Sequence, residues 1–405
     1  MKERIWTRNF LIVCLSSFFM FLTFYILATA FPLYVKESLN GNQQQMGLAI
    51  TIYVIGGVLI RPFSGQWVDK FGKKKMAVIG LIFFLIACIG YFGAKGIVLF
   101  LIIRFIHGMS YAVASTATST IASSIIPHSR QGEGIGYFSM FMSIAMVIGP
   151  ALGLFLWKDE NINVLLLGVC VIAALSLLFT LGIRMPKEKD IVKETVKEPV
   201  KMRKGLRWSD VIEPKALPIS IVGFFVAFSY SSLSGFIASF TEEIHQSQLA
   251  GYFFVAFAIM IVLFRPVIGK VFDKYNEHVL IYPGILIFAV GLLSLSQAQS
   301  GVMLMASGII MGVGYGALMP CFQTLALKLA SKERRGSANG TFFLLFDLGY
   351  GAGSYFMGLI ASYSNYRMMY VIAGVVTLIS VAVYYLLHHL PQAKLHNQQA
   401  KIDVL

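Results

Sequence analysis

The chain has 405 residues, of which 57% are hydrophobic and 13% are charged, and its mean hydropathy is +0.74. Soluble globular domains carry about 25% charged residues, so this composition excludes a soluble protein. The formal net charge of +14 suggests nucleic-acid binding at first sight, but the positions of the charges along the chain argue against it.

Apolar stretches long enough to cross a membrane recur along the whole chain. An α-helix needs about 20 apolar residues to cross the hydrocarbon layer of a bilayer, whereas the strands of a transmembrane barrel are about ten residues long and alternate in polarity. The stretches here have the helical length and lack the alternation. We therefore predict an all-α membrane protein with twelve transmembrane helices, at residues 9–33, 45–66, 75–94, 97–121, 134–157, 162–184, 215–240, 248–270, 279–298, 301–327, 337–362 and 367–390.

Lys and Arg side chains are distributed unevenly between the two sides of these predicted spans. With the N-terminus in the cytoplasm, most of the 33 Lys and Arg fall in cytoplasmic segments. The exceptions are Lys36, Lys95, Lys158 and Arg367 outside, and Arg61, Arg104 and Arg265 within spans. This positive-inside bias indicates that both termini are cytoplasmic. The net charge then reflects topology and attraction to anionic lipid headgroups, and we expect no nucleic-acid partner.

The chain consists of two similar halves. The phrase Arg61-Pro62-x-x-Gly65-x-x-x-Asp69-Lys70 returns 204 residues later as Arg265-Pro266-x-x-Gly269-x-x-x-Asp273-Lys274. A repeat at half the chain length is typical of transporters whose binding site lies between the repeats. We predict two pseudo-symmetric six-helix bundles, at residues 1–184 and 214–390, joined by a solvated, charged cytoplasmic linker at 185–213 and followed by a cytoplasmic tail at 391–405.

Three further motifs lie within and between the predicted spans. They are Gly65-Gln66-Trp67-Val68-Asp69-Lys70-Phe71-Gly72-Lys73-Lys74-Lys75 after span two, Arg104-x-x-His107-Gly108 in span four, and Gly149-Pro150-Ala151-Leu152-Gly153 in span five. With these motifs the chain resembles the major facilitator superfamily over essentially its whole length, and the third motif is similar to that of the drug/proton antiporter branch. Ala145 and Leu154 depart from that third pattern, which weakens the branch assignment but not the fold.

The resemblance implies a cytoplasmic gate built from both copies of the repeated phrase. The carboxylate of Asp69 would face the start of span eleven near Gly336, where free N–H groups and the helix dipole contribute roughly 0.3–1 kcal/mol. Asp273 would do the same at the start of span five. The gating residues are therefore Arg61, Gly65, Asp69, Lys70, Gly72 and Lys73 in the first copy, and Arg265, Gly269, Asp273 and Lys274 in the second. The alternative is that the lysines serve topology alone.

Glu133 complicates the second copy, because it lies close to the expected position of Asp273. Two adjacent carboxylates repel unless cations intervene, and Arg130 and Lys274 are the available cations. Glu133 either supplies a negative charge for proton coupling or is a first-turn acid favoured by the helix dipole.

Ionisable residues at membrane depth are the other candidates for proton coupling. A charge near the bilayer centre costs about 2.5–3.5 kcal/mol on insertion scales, so Arg104 should face a partner or a wet cavity. His107 lies one turn deeper on the same face and titrates near neutral pH; its alternative is a packing histidine. Asp347 lies deep in span eleven among apolar residues, where an unpartnered acid becomes a protonation switch. Its alternative is a packing acid bonded to Tyr350 or a serine.

These features together predict a secondary active exporter rather than an enzyme. We expect proton-coupled efflux of small amphipathic or hydrophobic compounds by alternating access, with Phe24, Tyr25, Phe228 and Tyr230 lining the cavity. A proton-coupled uptake symporter and a lipid or glycolipid translocase remain alternatives. No phosphate-binding G-x-x-x-x-G-K-[ST] motif occurs, and the four cysteines lie singly within spans. We therefore expect no cofactor and no metal, with the proton gradient as energy source, in a functional monomer of the bacterial plasma membrane.

Overall fold

A computed structural model describes residues 4–40, 43–157, 162–184 and 212–392. These residues form twelve long helices, and no strand occurs among them. The helices are α1 (Arg8–Glu37), α2 (Gln43–Phe71), α3 (Lys73–Gly90), α4 (Ile97–Ile125), α5 (Gln131–Leu156), α6 (Ile162–Leu181), α7 (Leu217–Glu243), α8 (Ala250–Lys274), α9 (His278–Ser296), α10 (Gly301–Leu329), α11 (Arg335–Tyr363) and α12 (Tyr366–Tyr384), which continues as a π-helix over Tyr385–His389.

The helices have the lengths and surfaces of membrane spans. Eleven stretches in the described residues are long and apolar enough to cross a bilayer, and α5, with 26 residues, is the remaining long helix. Large apolar side chains are exposed on the outward faces of the helices, as at Val98, Phe155 and Val302. Such extensive exposed apolar surface is unsuited to water and suited to lipid. The predicted all-α membrane fold is confirmed.

Local chemistry explains how the helices begin and turn. Thr7 caps α1 by accepting a hydrogen bond from the Phe10 N–H, and Asn365 caps α12 in the same way at Met368. Gly72 alone separates α2 from α3 and has a φ of +95°, a conformation that glycine adopts without steric cost. The Gly72 of the repeated motif therefore permits the tight turn between these two helices.

Each half of the chain has its own apolar core. One cluster of buried side chains comes from α1–α6 with Leu327 added, and the other comes from α7–α12. The two halves meet mainly where α2 packs on α11 and where α5 packs on α8. We call the surface formed by these four helices the seam. Since α2 corresponds to α8 and α5 to α11 in the repeat, the two contacts are pseudo-symmetric equivalents.

The predicted linker and tail lie largely outside the described residues, which omit 185–211 and 393–405. The end of the predicted linker is not solvated. Glu213 is buried, its carboxylate pairs with Arg334, and its N–H donates to Thr341 Oγ at 2.9 Å. The expectation of a solvated segment is therefore wrong at this end, because the charge of Glu213 has a cationic partner at the start of α11.

Candidate functional site

Asp69 joins the end of α2 to the start of α11 across the seam. Its carboxylate accepts hydrogen bonds from the N–H groups of Gly336 and Ser337, both at 2.8 Å, and from Ser337 Oγ at 2.8 Å. The helices approach closely because Gly65 has no side chain: a Cβ there would lie 2.6 Å from the Gly336 carbonyl oxygen. The first four N–H groups of a helix have no partner within it, so Asp69 satisfies two of them.

The second copy of the motif makes the equivalent contact between α8 and α5. Asp273 accepts from the N–H of Gly132 at 2.8 Å and from that of Glu133 at 2.9 Å. Gly269 occupies the position of Gly65, since a Cβ on it would lie 2.5 Å from the Glu133 Cα. We call the end of the bundle that carries these two contacts the motif end. The predicted role of these residues in gating stays a prediction.

Glu133 and Asp273 avoid repulsion with one expected cation and one unexpected cation. The Glu133 side chain pairs with Arg130 at 2.7 Å, so its carboxylate turns away from Asp273. Lys328 of α10, rather than Lys274, lies near the Asp273 carboxylate at 3.7 Å. The Lys274 ammonium lies 5.2 Å from the ring centroid of Tyr275 instead. The expectation that Lys274 would offset the charge of Asp273 is therefore wrong, because the packing of α10 places Lys328 beside that carboxylate.

Asp347 forms an ion pair with Arg61 across the seam. Arg61 Nε lies 2.5 Å from Asp347 Oδ2, while Arg61 Nη1 donates to Ser115 Oγ at 3.1 Å. The guanidinium also lies 4.7 Å from the ring centroid of Phe343, within the range of a cation–π contact. Sequence reasoning expected Asp347 without a partner, or bonded to Tyr350 or a serine. That expectation is wrong, because α2 packs on α11 and brings an arginine to it.

The carboxylate of Asp347 faces an opening within the bundle. Its side chain is 25% exposed near the middle of α11, whereas that of Arg61 is 2% exposed. A Cβ on Gly340 would lie 3.2 Å from the Arg61 carbonyl oxygen, but one on Gly351, a turn beyond Asp347, would meet nothing within 4 Å. Hence α2 and α11 are in close contact from the motif end to the level of Arg61, and open space adjoins α11 at Gly351, one turn beyond Asp347.

Arg265 is the pseudo-symmetric counterpart of Arg61, but no carboxylate among the described residues pairs with it. Its Nη2 donates to Ser143 Oγ at 3.2 Å, and Ser143 stands where the other half has Asp347. Its Nε and Nη1 are buried without a hydrogen-bond partner. Arg61 and Arg265 both precede the ends of their helices by several turns, so their guanidinium groups lie inside the seam and not at the motif end.

Arg104 lies in the core of the N-terminal half and away from the seam. Its Nε donates to the Ala49 carbonyl at 2.8 Å, and its guanidinium lies 4.4 Å from the ring centroid of Tyr53 and 5.1 Å from that of Phe31. No carboxylate lies within 4 Å of it among the described residues. Of the two expected surroundings, a partner or a wet cavity, Arg104 therefore has partners: a backbone carbonyl and aromatic rings.

His107 is likewise a core residue and points toward α3. Its Nδ1 lies 3.0 Å from Tyr91 Oη, its Nε2 lies 3.7 Å from Cys88 Sγ, and its ring packs on Phe84. The side chain is fully buried. This environment corresponds to the packing histidine that was the alternative at this position.

The span-five motif packs α5 against α1. A Cβ on Gly149 would lie 2.4 Å from the Tyr25 Cβ, and one on Gly153 would lie 2.8 Å from the Ile26 carbonyl oxygen. Pro150 lies within the same helix, α5. These glycines therefore permit close helix contact within the N-terminal half.

The four aromatic candidates for the cavity have different neighbours. Phe24 stacks on Tyr111, whose ring centroid lies 5.8 Å from the Arg61 guanidinium carbon. Tyr230 stacks on Tyr315 with 4.3 Å between ring centroids. The other two are Tyr25, which backs onto Gly149, and Phe228, whose ring neighbours are Phe224 and Phe356.

Sequence reasoning missed the polar residues that surround the ion pair. Asn339 of α11 donates to the Thr116 carbonyl at 3.2 Å and to Ser119 Oγ, and Gln323 donates to Asn339 at 3.0 Å. One signal was available, the run of hydroxyl residues at 115–120.

Comparison with known proteins agrees with this arrangement. The sequence profile of the Major Facilitator Superfamily matches residues 13–301 and, again, 219–403. A staphylopine export protein of Staphylococcus aureus is 22% identical over 86% of this chain and 89% of its own length. A homolog of the multi-drug resistance efflux pump PmrA from Lactococcus lactis is 24% identical over 89% and 90%. The crystal structure of the human organic anion transporter MFSD10 (TETRAN) has a TM-score of 0.80 at 15% identity, covering 93% of this chain and 98% of that one.

Proposed function

Because the chain belongs to the major facilitator superfamily, we propose that this secondary transporter exports small amphipathic or hydrophobic compounds in exchange for protons, from the cytoplasm of a bacterial cell. Two relatives that match this chain over about nine tenths of their own length are named for export or efflux, and this supports the outward direction of transport. The substrate binds between the two halves, whose rocking exposes one site to each side in turn.

The Arg61–Asp347 pair is the observation that carries the proton-coupling part of the proposal. Among the described residues it is the ion pair that joins the two halves near the middle of the membrane-spanning helices. Its carboxylate is accessible while its guanidinium is buried. A proton arriving from the cavity therefore reaches Asp347 and removes the negative charge that holds α11 to α2.

The same pair of helices carries both this ion pair and a contact at the motif end. Arg61 and Asp69 lie on α2, and Asp347 and Gly336 lie on α11. Protonation of Asp347 weakens the attachment of α2 to α11, so that fewer interactions oppose the separation of Asp69 from the α11 N-terminus. Proton binding is thereby linked to opening of the motif end.

The contacts of Asp69 and Asp273 close the motif end, and the partial exposure of Asp347 supports access from the opposite end. With the N-terminus in the cytoplasm, as the positive-inside bias indicates, the motif end is cytoplasmic and the proposal takes this conformation as the outward-facing state. Protons enter this state from outside, where Asp347 is accessible. One proton moving through a potential of 100 mV supplies about 2.3 kcal/mol, enough for a substrate gradient of roughly 40-fold.

Transport in liposomes tests the proposal. Purified full-length protein is reconstituted with an imposed pH gradient, and substrate-induced proton movement is followed for a panel of dyes and metabolites. We expect Asp347→Asn to abolish substrate-induced proton movement while substrate binding persists, because asparagine accepts no proton. Glu243→Gln is the matched control, since Glu243 is an exposed carboxylate at the end of α7.

Two outcomes contradict the proposal. Proton movement that persists in Asp347→Asn excludes this residue as the coupling group. Protons and substrate that move in the same direction in the wild-type protein indicate a symporter and exclude exchange.

A further inference from the structure

Arg265 has unused hydrogen-bonding capacity inside the seam. Its side chain is 2% exposed, its Nη2 bonds to Ser143, and its Nε and Nη1 have no partner. A buried cation is costly unless it is paired and hydrogen-bonded. In the other half of the repeat, the equivalent Arg61 has the carboxylate of Asp347. Within the part of the chain that the structure describes, Arg61 pairs with a carboxylate and Arg265 bonds to a hydroxyl alone.

Further unpaired hydroxyl groups lie on the helices around Arg265. Ser139, one turn before Ser143 on the same face of α5, is buried and its Oγ has no hydrogen-bond partner. Thr324 of α10 lies at the junction of α5, α8 and α10, and its Oγ1 is also buried without a hydrogen-bond partner. Tyr315 of α10 stands at the offset of 204 from Tyr111, whose ring centroid lies 5.8 Å from the Arg61 guanidinium carbon in the other half. Among the described residues, the groups given around Arg265 are therefore neutral hydroxyls, and none is a negatively charged hydrogen-bond acceptor.

Two stacked tyrosines lie beside Met146, which follows Ser143 by one turn on α5. Tyr230 stacks on Tyr315, with 4.3 Å between ring centroids. The Tyr230 hydroxyl donates to Met146 Sδ at 3.5 Å, and Met146 lies one turn beyond Ser143 on α5. Because a thioether sulfur is a weak acceptor, this contact is easily exchanged for one with an incoming ligand.

We infer that Arg265 binds an anionic group of the transported substrate, a carboxylate or a phosphate, which reaches it when Tyr230 leaves Met146. A guanidinium binds either group through two parallel hydrogen bonds, and Ser139 and Ser143 add donors. The two arginines then have separate tasks: Arg61 pairs with the residue that takes the proton, and Arg265 pairs with the substrate. This inference rests on the proposed function, because it names the class of substrate carried.

Two dyes that share a xanthene core and differ in charge provide the test. Fluorescein is anionic and rhodamine 6G is cationic, and binding of each to the purified full-length protein in lipid nanodiscs is followed by fluorescence anisotropy. We expect the wild-type protein to bind fluorescein more tightly than rhodamine 6G. Arg265→Gln should weaken fluorescein binding about tenfold or more, and Arg265→Lys should weaken it less, because lysine keeps the charge but not the paired donors. Competition by benzoate and by phenyl phosphate identifies the preferred anion.

Ser143→Asp is the second variant, because it rebuilds at Arg265 the pair that Asp347 makes with Arg61. We expect it to weaken fluorescein binding while the melting temperature stays the same or rises, so unfolding does not account for the loss. Unchanged fluorescein binding in both Arg265→Gln and Ser143→Asp overturns the inference. So does a wild-type protein that prefers rhodamine 6G, or that binds none of fluorescein, benzoate and phenyl phosphate.

These outcomes are separable from those of the proposed function. Binding is measured without a pH gradient, and Asp347→Asn should leave the effect of Arg265→Gln on fluorescein binding intact. Anion binding that depends on Arg265, in a protein without substrate-induced proton movement, refutes proton exchange and leaves the anion site. The converse result refutes the anion site alone.

Discussion

At the scale of single residues, the departures from symmetry in the repeat carry the chemistry. Arg61 and Arg265 occupy equivalent positions, yet their partners are Asp347 and Ser143. A duplicated backbone thus presents two buried arginines with different electrostatic environments. Hydroxyl groups bond to the guanidinium in both places, but among the described residues only Arg61 also pairs with a carboxylate.

The Arg61–Asp347 pair predicts a strongly non-additive set of substitutions. Removing one partner of a buried pair typically costs about 3–5 kcal/mol, because the other charge is left unpaired. We expect Arg61→Met and Asp347→Leu each to lower the melting temperature, and the double variant to lower it less than Asp347→Leu alone. Thermal unfolding in detergent, followed by intrinsic fluorescence, measures this. Losses that simply add in the double variant show that the pair does not contribute to folding.

At the scale of helices, backbone N–H groups at the helix N-termini act as hydrogen-bond donors between the two halves. Two carboxylates on α2 and α8 accept from the N–H groups that begin α11 and α5. Each contact needs a glycine opposite it, since a Cβ at Gly65 or Gly269 would overlap the backbone of the neighbouring helix. The two residues of the motif therefore act together: the glycine permits close contact between the helices, and the aspartate then reaches the N–H groups at the start of the neighbouring helix.

A third helix-end contact joins the start of α9 to the π-helical end of α12. Glu277 Oε1 lies 3.2 Å from His388 Nε2, and this hydrogen bond holds the pKa of the Glu277 carboxyl below its ordinary value. A carboxyl with a lowered folded-state pKa stabilises the protein above its unfolded pKa of about 4.3 and loses that effect as the pH falls through the folded value.

Glu277→Gln therefore has a pH-dependent effect on stability. We expect the variant to melt below the wild-type protein near neutral pH, and the difference to shrink as the pH falls below about 4.3. Melting temperatures of both proteins across this range measure it, with Glu243→Gln as an exposed-carboxylate control. A difference that grows on acidification contradicts the assigned cause.

At the scale of the whole molecule, equivalent contacts at the motif end hold the two halves together. The Asp69 and Asp273 contacts each involve a carboxylate at a helix N-terminus, worth up to about 2 kcal/mol when partly buried. If these contacts gate transport as predicted, their sum sets how readily the motif end opens. Because they lie on opposite sides of the seam, their effects on opening should add.

Spin labels at the motif end test this arrangement. Lys75 and Lys332 are exposed and lie in opposite halves, so Lys75→Cys with Lys332→Cys, in a Cys170→Ala background, reports the separation there by pulsed electron resonance. We expect Asp69→Asn and Asp273→Asn each to raise the population of longer distances, by at most about 30-fold, and together to raise it further. Gly65→Ala should do the same without a change of charge. Distances identical to wild type in the double variant refute a gating role.

Much of the fold follows from the order of residues along the chain. The bilayer thickness sets the length of each apolar stretch, and the predicted spans lie within a few residues of the helices α1–α12. The motif glycines and aspartates were recognisable because they act through backbone geometry, which a duplicated sequence repeats. Arg104 and His107 were harder, because a buried polar residue looks alike whether it packs in a core or lines a cavity.

The sequence by itself determined the class of protein, the number and order of the helices and the duplication into two halves, because hydropathy and repetition are properties of consecutive residues. Only the tertiary structure decided which charges meet. Arg61 and Asp347 are far apart in the chain, and Lys328 rather than Lys274 reaches Asp273, since partners are selected by how α2, α8, α10 and α11 pack. Electrostatic pairing depends on distances between side chains in the folded protein, and the hydropathy of consecutive residues does not specify these distances.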